Sequence, residues 1–296
     1  MGADALRALI LLLAAPAAFA HAPDRLAAPS VWSTWNTEAW LLLLLALSAA
    51  GYALGLRRLW TSAGGRRGVR TSQASCFALG WLALAGALVT PLDALGNHLF
   101  SAHMVQHEVL MVVAAPLLVL GRPLATWTWA FAPAQRRVVG RAFQNRQWAG
   151  LWSALTDPLG AFALHAIALW GWHVPLAFDA ALRSEGWHIL QHLSFLGTAL
   201  FFWWSVLGHD PRGRYGPGHS ALSLFVTMLH TSALGALLSL APTPWYAPYV
   251  GQAIALGLDP VDDQQLGGLV MWVPAALAYV VAALAVLGRM LNRASA

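Results

Sequence analysis

The chain has 296 residues, 58% of them hydrophobic and 10% charged, with a formal net charge of +5 and a mean hydropathy of +0.59. That composition excludes an ordinary soluble domain. The positive balance does not indicate a nucleic-acid partner, because every basic residue is an arginine and nearly all fall in short loops between apolar segments, where they set membrane topology.

Residues 1–20 read as a signal peptide: the apolar run LRALILLLAAP is followed by the small-residue ending Ala18-Phe19-Ala20. Cleavage after Ala20 leaves His21 as the new N-terminus, an amine and imidazole that together form a competent copper chelate; an uncleaved first helix is the alternative. The rest, 21–296, reads as a single all-α domain, a polytopic transmembrane bundle. Seven apolar segments have about the length that a bilayer crossing needs: 37–56, 74–95, 98–120, 158–176, 185–207, 219–241 and 265–288. The segment 121–157, containing WTWAFAPAQRRVVGRAF, reads as an amphipathic stretch on the inner surface, and 242–264 as a Pro- and aromatic-rich interfacial loop.

Arginine placement orients the bundle. Fourteen of the 17 arginines lie in the loops after spans one, three and five and in the C-terminal tail; only Arg25 and Arg183 lie on the other side, beside most of the acids. The positive-inside rule then places the mature N-terminus outside and the C-terminus in the cytoplasm.

With that orientation, two histidine pairs fall in the outer half of the membrane. His103/His107 and His188/His192 are each spaced i, i+4, which puts both rings of a pair on one helical face. Ionisable residues at such depth are costly and point to function. His173, near the outer end of span four, shares their depth. Imidazole suits copper and zinc, and Met111, four residues beyond His107, would add a soft thioether for Cu(I). One cysteine, Cys76, excludes a disulfide framework and a CxxC site. The acidic run at Asp262-Asp263 could orient a ligating imidazole through its second nitrogen. His165 and His230 lie near mid-span; His209 and His219 flank a turn-rich, solvated loop. No HExxH is present, so a metalloprotease is excluded.

The run LFSAHMVQHEVLMVVAAPLLVLGRP resembles the signature of the CtaG-type cytochrome c oxidase assembly factors, and the likeness continues through WGWHVPLAFDAAL, WHILQHLSFLGTALFFWW, LHTSALGALLSLAPTPWY and DQQLGGLVMWVP. It covers spans two to seven. It implies a multi-pass protein of the bacterial inner membrane, not an enzyme, that works with haem–copper oxidase subunits and the lipid bilayer, with His103, His107, His188 and His192 as the positions of interest. The expected role is copper handling on the periplasmic side. The alternatives are a b-type haem or quinone-linked redox protein, with imidazoles as axial ligands, and a copper transporter.

Overall fold

The structure is a computed structural model that describes residues 31–62, 68–208 and 216–294. The expected signal peptide, His21 and His209 lie outside the described residues. No strand occurs among the described residues. The elements are α1 (Ala39–Ser62), α2 (Thr71–Val89), α3 (Pro91–Gly96), α4 (Phe100–Leu120), α5 (Pro123–Thr128), α6 (Pro133–Gln144), α7 (Arg146–Leu155), α8 (Pro158–His173), α9 (Pro175–Arg183), α10 (Glu185–Leu207), α11 (Pro217–Ser239), α12 (Ala247–Ala255) and α13 (Pro260–Ala294).

Six of these helices (α1, α2, α4, α10, α11 and α13) are long and apolar enough to cross a membrane. The bent pair α8 and α9, which turns by 76° between them, passes the same test only when taken together and would make a seventh crossing. The bend falls at Val174-Pro175: proline has no N–H to continue the ladder and pushes the residue before it out of helical geometry, and Val174 has φ −62° and ψ 126°. The expected crossing 158–176 therefore stops at His173. At 16 residues, α8 rises about 24 Å, short of the ~30 Å hydrocarbon core, and α9 completes it at an angle.

The centre of the bundle is α4. In its apolar window 56% of residues are buried, against 17–33% in the other five long helices. Its middle is a π-helix, Val109–Ala114, just before Pro116. A proline ring clashes with the carbonyl four residues back in an α-helix, and a wider turn relieves that clash. The carbonyl of Met111 would look to position 116 in π spacing and finds no N–H there. The Trp203 indole of α10 donates to it instead, at 2.8 Å.

Small residues bring the other helices close. A Cβ on Gly235 would meet the Gly268 carbonyl at 2.8 Å, and one on Gly268 would meet the Gly235 carbonyl at 2.6 Å. Glycine at both places is what lets α11 and α13 cross backbone to backbone. At the other side of α4, Tyr52 stacks on Phe77 with centroids 3.6 Å apart and donates to the Gly121 carbonyl at 2.8 Å. This ties α1 and α2 to the C-terminal end of α4.

The N-terminal end of α4 is held by α13. Leu99 offers no side-chain cap. The buried Asp263 carboxylate accepts from Phe100 N at 2.7 Å, from Ser101 N at 3.1 Å and from the Ser101 hydroxyl. Asp263 thus caps a helix from a distant segment rather than orienting an imidazole, which corrects the sequence reading. Two unsatisfied N–H groups and a helix dipole in an apolar setting are a stronger claim on a carboxylate than a ring nitrogen already bonded elsewhere.

Asp263→Ala is expected to leave these donors buried and unpaired. The loss should be about 1–3 kcal/mol, read as a lower Tm of the detergent-purified protein. A Tm equal to wild type would show that the cap is not stabilising.

Candidate metal centre

Helices α4 and α10 lie side by side and turn their histidine faces toward each other. Within each pair the rings are 4.1 Å apart (His103–His107) and 4.3 Å apart (His188–His192), centroid to centroid. Between helices the distances are 5.4 Å for His103–His188, 5.9 Å for His103–His192 and 5.2 Å for His107–His192. One ring nitrogen from each of His103, His188 and His192 lies within 4.8 Å of the other two. His107 completes the cluster, wedged between His103, His192 and the ring of Phe195.

His103 is the best-fixed member. Its Nδ1 lies 3.2 Å from the Gly96 carbonyl, which can only accept, so Nδ1 carries the proton and Nε2 is left with its lone pair. Tyr249 of α12 donates to the same carbonyl at 2.7 Å. A Cβ on Gly96 would fit tightly, 3.1 Å from Gln106 Oε1 and 3.4 Å from His103 Cα. Backbone carbonyls that orient a ligating imidazole through its other nitrogen are a recurrent feature of metal sites.

The cluster is rich in polar atoms with no partner. His103 Nε2, both nitrogens of His107, His188 Nε2, His192 Nε2, Gln106 Oε1 and both amide atoms of Gln191 are inaccessible to solvent and unbonded. Buried polar groups are nearly always satisfied, so this concentration makes the cluster the candidate site, although Nε2 of His165, His173 and His230 is also without a partner.

Toward the outer rim, Gln106 donates to the Ala87 carbonyl at 2.9 Å and to Asp93 Oδ1 at 2.8 Å, and Asn36 donates to Asp93 Oδ2 at 3.1 Å. Glu38 lies near Asp93 and Glu185; burial, and then the Glu185 carboxylate beside it, push its carboxyl above the ordinary range.

His173 is not brought into the group of three. Its Nδ1 meets the Leu169 carbonyl at 2.7 Å, and its ring reaches the cluster through Phe178 and Phe195, at 6.0 and 6.1 Å. Met111 lies in the main apolar core with Phe202 and Trp203. His165 bonds Thr198 at 3.1 Å, and His230 accepts from Trp170 at 3.3 Å.

Sequence reasoning missed Gln106, Gln191, Gly96 and Tyr249. The two glutamines carried a signal: both pairs read H-x-x-Q-H, as His103-Met-Val-Gln106-His107 and His188-Ile-Leu-Gln191-His192. Gly96 and Tyr249 had none, since only the fold brings their groups to His103.

Comparison with known proteins adds to this geometry. The sequence profile of the family described as cytochrome c oxidase caa3 assembly factor (Caa3_CtaG) matches residues 50–293. Curated relatives include uncharacterized proteins of Mycobacterium bovis (Mb0105) and Mycobacterium tuberculosis (MT0111), each 27% identical over 82% of this chain and 37% of their own length. A third, from Mycobacterium leprae (ML1998), is 25% identical over 66% of this chain and 30% of its own. The chain thus spans little more than a third of the length of the relatives it matches. No solved structure matches it.

The geometry at Gly96 predicts that ¹⁵N-histidine NMR of the detergent-solubilised protein shows His103 protonated at Nδ1. Finding the proton on Nε2 instead would mean that His103 is not poised to ligate.

Proposed function

The chain belongs to the cytochrome c oxidase caa3 assembly factor family, and on that footing we propose that it handles copper for the oxidase, binding the ion at His103, His188 and His192, with His107 beside them. It is a multi-pass membrane protein that serves oxidase assembly; the reading adds the cargo and the residues. In this reading the protein is not an enzyme, and the site faces the periplasm of a bacterial inner membrane, an orientation that the arginine-rich loops at the opposite end support.

The observation that carries the reading is the convergence of three ring nitrogens within 4.8 Å, in a cluster whose free nitrogens have no other partner. Around a metal at ~2.0–2.1 Å from each nitrogen, such atoms stand about 3.4 Å apart. Side-chain rotation of the order of an ångström would close the set.

The ligand chemistry favours a monovalent ion. All three donors are neutral imidazoles, and no carboxylate belongs to the group. In a low-dielectric interior the cost of an ion rises with the square of its charge, so a divalent ion without anionic ligands is penalised far more than Cu(I). His173 and Met111 remain candidate contributors only if the site rearranges when loaded. The haem alternative is disfavoured by packing. Imidazoles of α4 and α10 stand at 5.2–5.9 Å across the interface, ring against ring, with no slot for a macrocycle between them.

Metal analysis and an absorption spectrum of the purified protein test the proposal. Copper near one per chain without a Soret band is expected. His103→Ala combined with His107→Ala should lower both the bound copper and the copper content of the client oxidase, while the protein stays in the membrane. Normal oxidase copper in that double variant would sink the copper role, and a Soret band would restore the haem reading.

A further inference from the structure

At the end of the bundle opposite the histidines, α5, α6 and α7 fold around the ends of α8, α10 and α11 and enclose a groove of about 1030 Å³. Its walls are aromatic: Trp127, Phe131, Phe143, Trp152, Phe201 and Trp204. That volume is at the top of the ~300–1,000 Å³ range in which proteins hold small ligands. Helices α6 and α7 bury none of their residues in the protein. Phe143 of α6 and Trp148 of α7, both lining the groove, are 61% and 59% exposed. An amphipathic helix with such a face lies in the membrane interface, its apolar side among acyl chains.

Charge says what the head of the occupant must be. Residues 121–156 hold five arginines and no Asp or Glu. Arg136 stands three and seven residues before Val139 and Phe143, on the stripe that faces the groove. Its guanidinium lies 3.6 Å over the Trp129 ring, and its Nη2 donates to the carbonyl of the groove residue Phe131 at 3.4 Å. Arg58 reaches over from α1 and donates to the neighbouring Ala130 carbonyl at 2.6 Å. The two guanidinium groups therefore bond adjacent carbonyls, Ala130 and the groove residue Phe131, beside the groove rather than in its lining. Among the described residues the one ion pair is Arg183–Asp179, far from here in the fold. The acid that lines the groove, Asp157, accepts from Gly160 N at 3.4 Å as the cap of α8.

We infer that this groove binds an anionic phospholipid of the adjacent leaflet, with its acyl chains along the aromatic walls and its phosphate at Arg58 and Arg136. Guanidinium groups match phosphate with forked donors. A basic juxtamembrane segment gains about 1 kcal/mol per arginine near an anionic lipid surface, and against the five arginines of this one stands a single acid at its edge, Asp157. A zwitterionic lipid would fill the groove equally well and offer the same phosphate, but its headgroup cation would oppose the two arginines. The bound lipid would act as the core that α6 and α7 otherwise lack, fastening them to α8 and α10. None of this depends on the copper reading.

The test is made on the full chain in detergent, stripped of lipid and titrated with phosphatidylglycerol or phosphatidylcholine of the same acyl composition. Native mass spectrometry should show a retained phosphatidylglycerol, and that lipid should raise the Tm by several degrees where phosphatidylcholine does not. Ala149→Trp, which intrudes on the groove from its α7 wall, should weaken retention. Arg58→Gln with Arg136→Gln should weaken it about tenfold, a loss of two charge-assisted contacts. Equal retention of the two lipids would overturn the proposal. So would wild-type retention by the Ala149→Trp variant, wild-type affinity in the double arginine variant, or a co-purifying polypeptide that fills the groove in the lipid-free protein.

Discussion

An imidazole buried away from water must bond through both ring nitrogens or lose stability, and the arrangement of α4 and α10 turns on that constraint. His103 satisfies one nitrogen at the Gly96 carbonyl and leaves the other facing His188 and His192. His165 and His173 each likewise bond through one nitrogen, to Thr198 and to the Leu169 carbonyl, and leave Nε2 without a partner, but neither belongs to the group of three. Here the nitrogens that remain are turned toward one another. Rings that share a pocket without bonding each other do not stabilise the fold; they make sense as a set waiting for a common partner.

The rest of α4 can be understood as support for that set. Its first turn is fixed by Asp263 from the far end of the chain. Its middle widens into the π segment before Pro116, and Trp203 of α10 takes up the carbonyl that this leaves without an N–H. Both devices link α4 to a helix distant in sequence, so the depth and rotation of His103 and His107 are set by tertiary contacts rather than by the helix alone. The same Gly96 carbonyl that positions His103 also receives Tyr249. One backbone oxygen thus couples the outer loop to the cluster.

Hydrophobic length and arginine spacing made the crossings legible, because a bilayer imposes both on any chain. The i, i+4 pairs were legible for the same reason: a helix was certain, so shared faces followed. Lateral order was not. Nothing in the local sequence says that α4 packs on α10, and the convergence of His103 with His188 and His192 could only come from the fold. His173 was placed beside the pairs by counting residues along the chain; that its ring packs against Phe178 and Phe195 rather than within the group of three follows from the fold. Asp263 shows the opposite error. Its position near the outer edge suggested service to a ligand, but the unsatisfied N–H groups of Phe100 and Ser101 were the stronger attraction, and they belong to a helix 160 or so residues earlier.

The absence of cysteine from the candidate site bears on what kind of binding the proposed role requires. Thiolates hold soft ions tightly and must be deprotonated to do so, which ties loading and release to proton exchange. Neutral imidazoles carry no such requirement: an ion can arrive and leave without a proton moving in the opposite direction. A delivery protein needs affinity high enough to capture its cargo and low enough to surrender it to the client. Three imidazole donors without a thiolate fit that compromise better than a cage of thiolates would. The neighbouring His107, with both nitrogens unbonded, then has a natural use as the next ligand in line, through which the ion could exchange one bond at a time.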